Sequence, residues 1–294
     1  MRKYVIPNIR LGATSFLLHE TYVPAVRFAA ERCDDVALLL VEPGERNEYL
    51  ATPGEIVEIG RIIAGERATL HVHLPTDADF DTWEGARSMI GKIRRVAELT
   101  GPLDPHSFVL HVDFPSLHGT GGEPSAEQQE WTAEALREIA ACLPAPERLA
   151  VENLETYAPS FWDRWLAGTP YSRCLDVGHI WKDGGDPAPV LAAWLPRVRV
   201  IHLHGLEPRG SEADAAKPQG QQRAPEKLAE RTLSRLFGPR PRDHKSLRLM
   251  PPEFVDDVMH PLWKTGFSGV LNLEDFTASH AVLMHSWERY AASS

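Results

Sequence analysis

The sequence has few cysteines, no long apolar run and no excess of basic residues. Cys33, Cys142 and Cys174 are the only cysteines in 294 residues. They are widely spaced and form no Cys-x-x-Cys pair, which disfavours a disulfide framework and a thiolate zinc site. No stretch of 18 apolar residues occurs, so a membrane-spanning helix is excluded. The basic start of the chain has no apolar segment behind it, so we expect a cytoplasmic protein.

The charge balance bears on the partner of this protein. The chain carries 41 acidic and 31 basic residues, for a net charge of −10. Proteins that bind nucleic acid owe much of their affinity to basic residues that neutralise phosphates. Nucleic acid is therefore disfavoured as the main partner, although the stretch 223–248 is locally basic. We expect a small-molecule substrate, and the oligomeric state stays open.

Short aliphatic runs alternate with longer helical patterns along the chain, which predicts a parallel sheet with helical crossovers. The predicted strands are Ile9–Thr14, Val36–Val41, Ala68–His73, Phe108–Val112, Arg148–Glu152, Arg173–Val177, Val198–Leu203 and Gly269–Leu273. Eight such units in a chain of this length predict an α/β protein with a closed (β/α)₈ TIM barrel. We expect one barrel domain over residues 1–294.

One connection breaks this regular alternation. About 45 residues, 205–250, separate the seventh strand from the next barrel helix. They include a polar stretch and a helical pattern at Glu226–Phe237. A connection of this length is commonly a binding loop, a lid or a disordered segment. We expect an insertion at the C-terminal end of the barrel, where barrel enzymes have their active sites.

Histidines and carboxylates recur at the ends of six successive predicted strands. In chain order they are His71 and His73, His111 and Asp113, Glu152, Asp176 and His179, His202 and His204, and Glu274. The C-terminal ends of parallel barrel strands converge around one axis, so these side chains are expected to lie together. Without a cation, the carboxylates gathered there would repel one another, and some of the polar atoms would lack hydrogen-bond partners.

The pattern therefore predicts a divalent metal site. Nitrogen and oxygen ligands without thiolate suit zinc, manganese or iron, of which zinc is preferred. His71 and His73 lie two apart and share one face of their strand, as do His202 and His204. The spacing leaves open which member of each pair binds metal.

These strand ends resemble the xylose-isomerase-like superfamily, which includes the apurinic endonucleases of the endonuclease IV type. The resemblance rests on His73-Leu74-Pro75, His111, Glu152-Asn153, Asp176-Val177-Gly178-His179, a histidine in the seventh strand, Asp243-His244 and Glu274. It implies a TIM barrel with a metal shell of His73, His111, Glu152, Asp176, His179, His202, Asp243, His244 and Glu274. Asp243 and His244 are adjacent here, whereas the trinuclear endonucleases separate theirs by one residue.

A narrower resemblance lies near the N-terminus, in Arg10–Ser15 and Val36–Glu42. These stretches look like the branch of the superfamily that remodels cobamides. The resemblance implies a metal-dependent phosphodiester hydrolase that cuts the nucleotide loop of adenosylcobamides at the phosphoribosyl bond, leaving cobinamide phosphate and a riboside.

For a phosphodiester, one metal would supply hydroxide while a second would neutralise the phosphate oxygens. Glu152, Asp176 and Glu274 are the predicted catalytic residues. A corrinoid is the predicted substrate, and its predicted contacts are His71, His204, Tyr157, Trp181 and Lys245.

Two alternatives come from other functional classes. A sugar isomerase or epimerase would use paired glutamates on a metal to move a proton between adjacent carbons. It is favoured if only Glu152, Asp176, His202 and Glu274 bind metal, with His111 and His244 left free. The other alternative is a barrel that binds a sugar, corrinoid or metal without catalysis.

Overall fold

Eight parallel strands form a closed barrel in the computed structural model, which describes residues 4–17, 21–40, 50–208, 233, 236–237 and 241–293. The barrel strands are β1 (Arg10–Thr14), β2 (Asp35–Leu39), β3 (Thr69–His73), β4 (Phe108–Leu110), β5 (Leu149–Glu152), β6 (Ser172–Asp176), β7 (Val198–Leu203) and β10 (Val270–Leu273). Each strand pairs with its neighbour in the chain, and β10 closes the barrel against β1. The predicted TIM barrel is therefore confirmed.

Helices cross over between the barrel strands. They are α1 (Tyr22–Ala30), α2 (Pro53–Glu66), α3 (Trp83–Thr100), α4 (Ala126–Ala141), α5 (Asp163–Leu166), α6 (Val177–Lys182), α7 (Pro187–Trp194), α8 (Pro252–Thr265) and α9 (Phe276–Ser293). Within the described residues, no helix combines the length and the apolar character needed to cross a membrane.

The structure adds local features that the sequence did not predict. Between β5 and β6 the chain forms a 3₁₀ turn, Pro159–Trp162, followed by the single turn of α5. Helix α6 was not predicted, because its six residues are too few to show a periodic pattern. Strands β8 (Gly205–Glu207) and β9 (Arg242–Lys245) form an antiparallel pair inside the long insertion.

The predicted helical piece 226–237 lies almost wholly outside the described residues. The assignment of the whole chain to one domain stays a prediction.

Helix starts are fixed by local side-chain chemistry that the sequence carries. Thr52 at the start of α2 and Ser125 at the start of α4 each accept a hydrogen bond from the backbone N–H three residues later. The side chains of Glu55 and Gln128 in turn accept a hydrogen bond from the backbone N–H of the cap residue. These reciprocal pairs satisfy backbone donors that an isolated helix end leaves unpaired.

A layer of small apolar side chains fills the barrel beneath its C-terminal end. It consists of Val109, Ala150, Cys174 and Val200, from four neighbouring strands, and all four are fully buried. Because side chains two residues apart share a face of a strand, the next inward positions are His111, Glu152, Asp176 and His202. The packed layer closes the barrel from below and places these four polar side chains together above it.

Substitution of Ser125 tests the helix-start assignment. Ser125→Ala is expected to lower the free energy of unfolding by about 1 kcal/mol, because the N–H of Gln128 loses its acceptor. Equilibrium urea unfolding measures this loss. Ser125→Asp is the matched control, since it keeps an acceptor and should retain most of the stability. Equal destabilisation by both substitutions would contradict the assignment.

Candidate metal centre

Three carboxylates surround one imidazole nitrogen at the open end of the barrel. His202 Nδ1 lies 2.8 Å from Glu152 Oε1, 3.4 Å from Glu274 Oε1 and 3.8 Å from Asp176 Oδ2. Strand register explains part of this arrangement, because Asp176 on β6 lies directly beside His202 on β7. The side chains of Glu152, Asp176 and His202 are each 1% exposed.

The chemistry of this group fits a divalent metal ion. Asp176 Oδ2 is buried and accepts no hydrogen bond from any described residue. Burial would raise the pKa of Glu152 and of Glu274, but the facing histidines outweigh it and hold both pKa values below the ordinary range. Both glutamates are therefore ionised. A buried imidazole and three carboxylate oxygens supply a four-ligand site of the kind that divalent ions bind.

His73 and His111 contact the outer oxygen of Glu152. Their Nε2 atoms lie 3.3 Å and 2.9 Å from Glu152 Oε2, while Glu152 Oε1 faces His202. Of the pair His71 and His73, it is thus His73 that reaches the centre. Histidines on Oε2 orient the carboxylate and leave Oε1 for the metal, as the outer hydrogen bonds of metal sites commonly do.

His204 packs below His244 and beside Asp176. The backbone N–H of His244 donates to His204 Nδ1 at 3.0 Å, so Nδ1 is the acceptor and Nε2 of the neutral ring carries the proton. Nε2 lies 3.3 Å from Asp176 Oδ1 and has no free lone pair for a metal in this state. Gly178 makes room for the ring, since a Cβ there would lie 2.0 Å from His204 Cε1. Of the pair His202 and His204, His202 Nδ1 faces all three carboxylates, whereas His204 Nε2 faces Asp176 Oδ1 and, at 3.8 Å, Glu274 Oε2.

His244 lies at the rim of the centre, on β9 of the insertion. Its Nδ1 is 2.7 Å from Glu274 Oε2, and its side chain is 53% exposed. Its backbone has a φ of 51°, a left-handed conformation that is unfavourable for most residues other than glycine. The ring therefore contacts the outer oxygen of Glu274 in the way that His111 contacts that of Glu152.

Asp243 is paired with a lysine in a neighbouring group. Lys182 at the end of α6 donates to Asp243 Oδ2 and, at 2.7 Å, to Glu155 Oε1. His179 lies between the two groups, with Nε2 3.7 Å from Asp176 Oδ2 and 3.4 Å from Glu155 Oε2. The structure thus brings His73, His111, Glu152, Asp176, His202 and Glu274 together, with His179, Asp243 and His244 in a neighbouring group.

The residues predicted to contact substrate have other partners in the structure. His71 is fully buried, and its Nδ1 lies 2.5 Å from Asp35 Oδ1. Tyr157 is buried against Asp113 and the backbone of Phe114. Substrate contact by His71 and Tyr157 stays a prediction.

The same holds for the other predicted substrate contacts. Trp181 is 1% exposed and packs on Phe254. Lys245 lies 3.8 Å from Glu207, and His204 is fully buried. A role for these three in substrate binding also stays a prediction.

Sequence reasoning missed four polar side chains that belong to this network. Asp35 and the half-buried His106 form a group with His71, whose ring lies 6.3 Å from that of His202, and His106 Nε2 lies 3.0 Å from Asp35 Oδ2. Asp35 begins a strand and His106 precedes one, so the strand-end pattern did not find them. Glu155 and Lys182 lie in a loop and a short helix, and no spacing in the sequence indicates that they meet.

The comparisons with known proteins identify the fold. No model of a known protein family matches the sequence, and no curated protein is similar to it. A D-tagatose 3-epimerase-like protein is similar at 14% identity, with a TM-score of 0.60, over 97% of this chain and 98% of that chain. A xylose isomerase domain protein from Planctomyces limnophilus is 12% identical, with a TM-score of 0.60, over 99% and 97%. A 3-keto-D-glucoside 4-epimerase from E. coli is 11% identical, with a TM-score of 0.59, over 97% and 99%. The structural neighbours are thus xylose-isomerase-like barrels, and at these identities the likeness shows the fold.

The prediction of a phosphodiester hydrolase acting on a corrinoid is wrong. The structures similar to this chain are named as sugar epimerases and isomerases, and the cobamide-remodelling branch finds no support among them. In the structure Lys182 pairs with Asp243, one of the residues that the family resemblance implied as a metal ligand.

Metal binding should depend on pH through His202. Burial would lower the pKa of His202, but Cys174 and the carboxylates of Glu152 and Glu274 outweigh it and raise the pKa well above 6.5. The metal-free ring is therefore protonated at pH 7, and an ion must displace that proton to bind Nδ1. We expect the affinity for Mn²⁺ to rise about tenfold per pH unit between about pH 6 and 8.

Titration calorimetry in buffers of different ionisation enthalpy measures both the affinity and the protons released. His202→Ala is the control and should lose most Mn²⁺ binding. An affinity that stays flat with pH, without proton release, would contradict His202 as a ligand.

Proposed function

We propose that this protein is a divalent-metal-dependent isomerase or epimerase of a small sugar. The observation that carries the proposal is the convergence of Glu152, Asp176 and Glu274 on His202 Nδ1. It is the ligand set for which the sequence favoured this function. His111 and His244 contact the outer oxygens of the two glutamates, which leaves the inner oxygens for an ion.

Sugar isomerisation and epimerisation need a base beside an acidified carbon–hydrogen bond. A bound divalent ion would polarise the sugar oxygens and stabilise negative charge next to the carbon that loses its proton. Glu152 and Glu274 are both ionised, and both lie within 3.4 Å of the same nitrogen. Two carboxylates so placed can remove a proton from one position of a bound sugar and return it at another face or carbon.

The two glutamates differ in their access to solvent, which separates their roles. The side chain of Glu274 is 15% exposed, whereas that of Glu152 is 1% exposed. Glu274 also contacts the exposed His244, whose pKa is raised because Glu274 and neighbouring carboxylates outweigh its burial. We assign Glu274 as the base that exchanges its proton with solvent through His244. Glu152, whose Oε2 contacts His73 and His111, is the base or acid on the enclosed side.

The preferred ion is manganese. Three carboxylates and one imidazole form an oxygen-rich set without thiolate, and carboxylate ligands suit Mn²⁺ and other hard ions. This differs from the preference for zinc that the sequence suggested. The names of the similar structures favour a ketose or a keto-glycoside as the substrate.

Solvent-hydrogen exchange into a sugar tests the proposal. The Mn²⁺-loaded protein in D₂O is expected to incorporate deuterium at the carbon next to the carbonyl of a ketose and to form its epimer or aldose isomer. A panel of D-tagatose, D-fructose, D-allulose, L-ribulose and D-xylulose, followed by NMR, measures both. Glu274→Gln should lower the rate by at least about 10²-fold, because general base catalysis typically contributes 10²–10⁴-fold.

Glu288→Gln is the matched control, because Glu288 is an exposed glutamate on α9 that pairs with His285. It should leave turnover unchanged. A panel that shows neither exchange nor product, with the metal bound, would overturn the proposal in favour of a barrel that binds its ligand without catalysis.

A further inference from the structure

A second group of potential metal ligands lies beside the proposed metal centre. We name it the Lys182 cluster, and it consists of Glu155, His179, Lys182 and Asp243. Glu155 follows β5, His179 and Lys182 lie on α6, and Asp243 lies on β9 of the insertion. Three separate parts of the chain therefore meet at one point.

Three members of the Lys182 cluster lie close enough together to share one cation. Glu155, His179 and Asp243 each offer a ligand atom, and these atoms all lie within 4.8 Å of one another. His179 is 6% exposed, and its Nδ1 is fixed by a 2.8 Å contact with the backbone oxygen of Asn153. That contact makes Nδ1 the donor, so when the ring is neutral its Nε2 presents the lone pair on the side of Glu155.

A cation already occupies part of this site, and it belongs to the chain. The ammonium of Lys182 contacts Glu155 Oε1 at 2.7 Å and also contacts Asp243 Oδ2. These two carboxylates are two of the three ligands that a metal ion would take there. Because the lysine is part of α6, its ammonium occupies the site permanently, whereas a metal ion would have to bind from solution.

We propose that Lys182 is a built-in cation that closes a second divalent-metal site formed by Glu155, His179 and Asp243. Removal of its ammonium opens that site to Mn²⁺ or Zn²⁺. In the wild-type chain the lysine keeps the metal count lower by one ion, and it also ties β9 of the insertion to α6. The proposal concerns the neighbouring cluster and does not depend on which reaction the proposed metal centre performs.

Electrostatics gives the reason for expecting an ion in place of the lysine. Without the ammonium, the carboxylates of Glu155 and Asp243 would lie close together in a partly buried site with only the rings of His179 and His244 beside them. Like charges in such a position repel, and the site would gain either a proton or a metal ion. Two carboxylates and one imidazole are ligands that suit Mn²⁺ and Zn²⁺.

Metal content of four full-length variants tests the proposal. The proteins are wild type, Lys182→Met, Lys182→Arg and the double variant Lys182→Met with Asp243→Asn. Each is stripped with chelator, dialysed against Mn²⁺ or against Zn²⁺, and measured by elemental analysis. Methionine keeps an unbranched stem of similar length without the charge, and arginine keeps the charge.

Lys182→Met is expected to bind one more ion per chain than wild type. Lys182→Arg and the double variant should bind the same number as wild type. Thermal unfolding gives a second readout. Metal-free Lys182→Met should unfold at a lower temperature than wild type and should gain more from added Mn²⁺ than wild type does.

An unchanged metal count in a folded Lys182→Met protein would overturn the proposal. An extra ion that persists in the double variant would overturn it too, since the ion would then lie elsewhere. Circular dichroism checks that each variant folds. Absence of sugar turnover would contradict the proposed function and leave this count unaffected, so the two failures are distinguishable.

Discussion

The constraint on which the rest of this structure depends is the meeting of three carboxylates around one imidazole nitrogen. The closure of a parallel barrel brings Glu152, Asp176 and Glu274 to His202, because the C-terminal ends of its strands converge around one axis. Their mutual repulsion in a nearly buried position requires positive charge. Protonated histidines supply it in the metal-free chain, and a divalent ion would supply it in the loaded one.

The residues around this group control which of its atoms remain available. His73, His111 and His244 occupy outer carboxylate oxygens, and the backbone N–H of His244 fixes the tautomer of His204. A histidine at a strand end is thus not automatically a ligand. The structure separates one imidazole nitrogen that faces the three carboxylates from several that orient them. The proposal of an isomerase centre with a single ion rests on this separation.

Much of the fold and part of the centre could be predicted from the sequence. The alternation of strands and helices predicted the closed barrel, and β7 was predicted with its observed ends. The convergence of parallel strand ends predicted that Glu152, Asp176, His202 and Glu274 lie together with the other histidines of those strand ends. The choice between His202 and His204 could not be made, because both share a face of the strand and only the packing of Gly178 and His244 distinguishes them.

The contact of Lys182 with Asp243 could not be predicted either. The two residues are 61 positions apart, and no spacing in the sequence indicates that they meet. The substrate was inferred from a local resemblance at the N-terminus, far from the residues that do the chemistry, and that inference was wrong.

The central claim is that one ion binds between Glu152, Asp176, His202 and Glu274. Anomalous X-ray diffraction from crystals of the Mn²⁺-loaded wild-type protein tests it most directly. The account predicts one anomalous peak, coordinated by Glu152 Oε1, Asp176 Oδ2, His202 Nδ1 and Glu274 Oε1, with Lys182 still bound to Asp243. A peak held by Asp243 and His179, with Lys182 turned away, would contradict it.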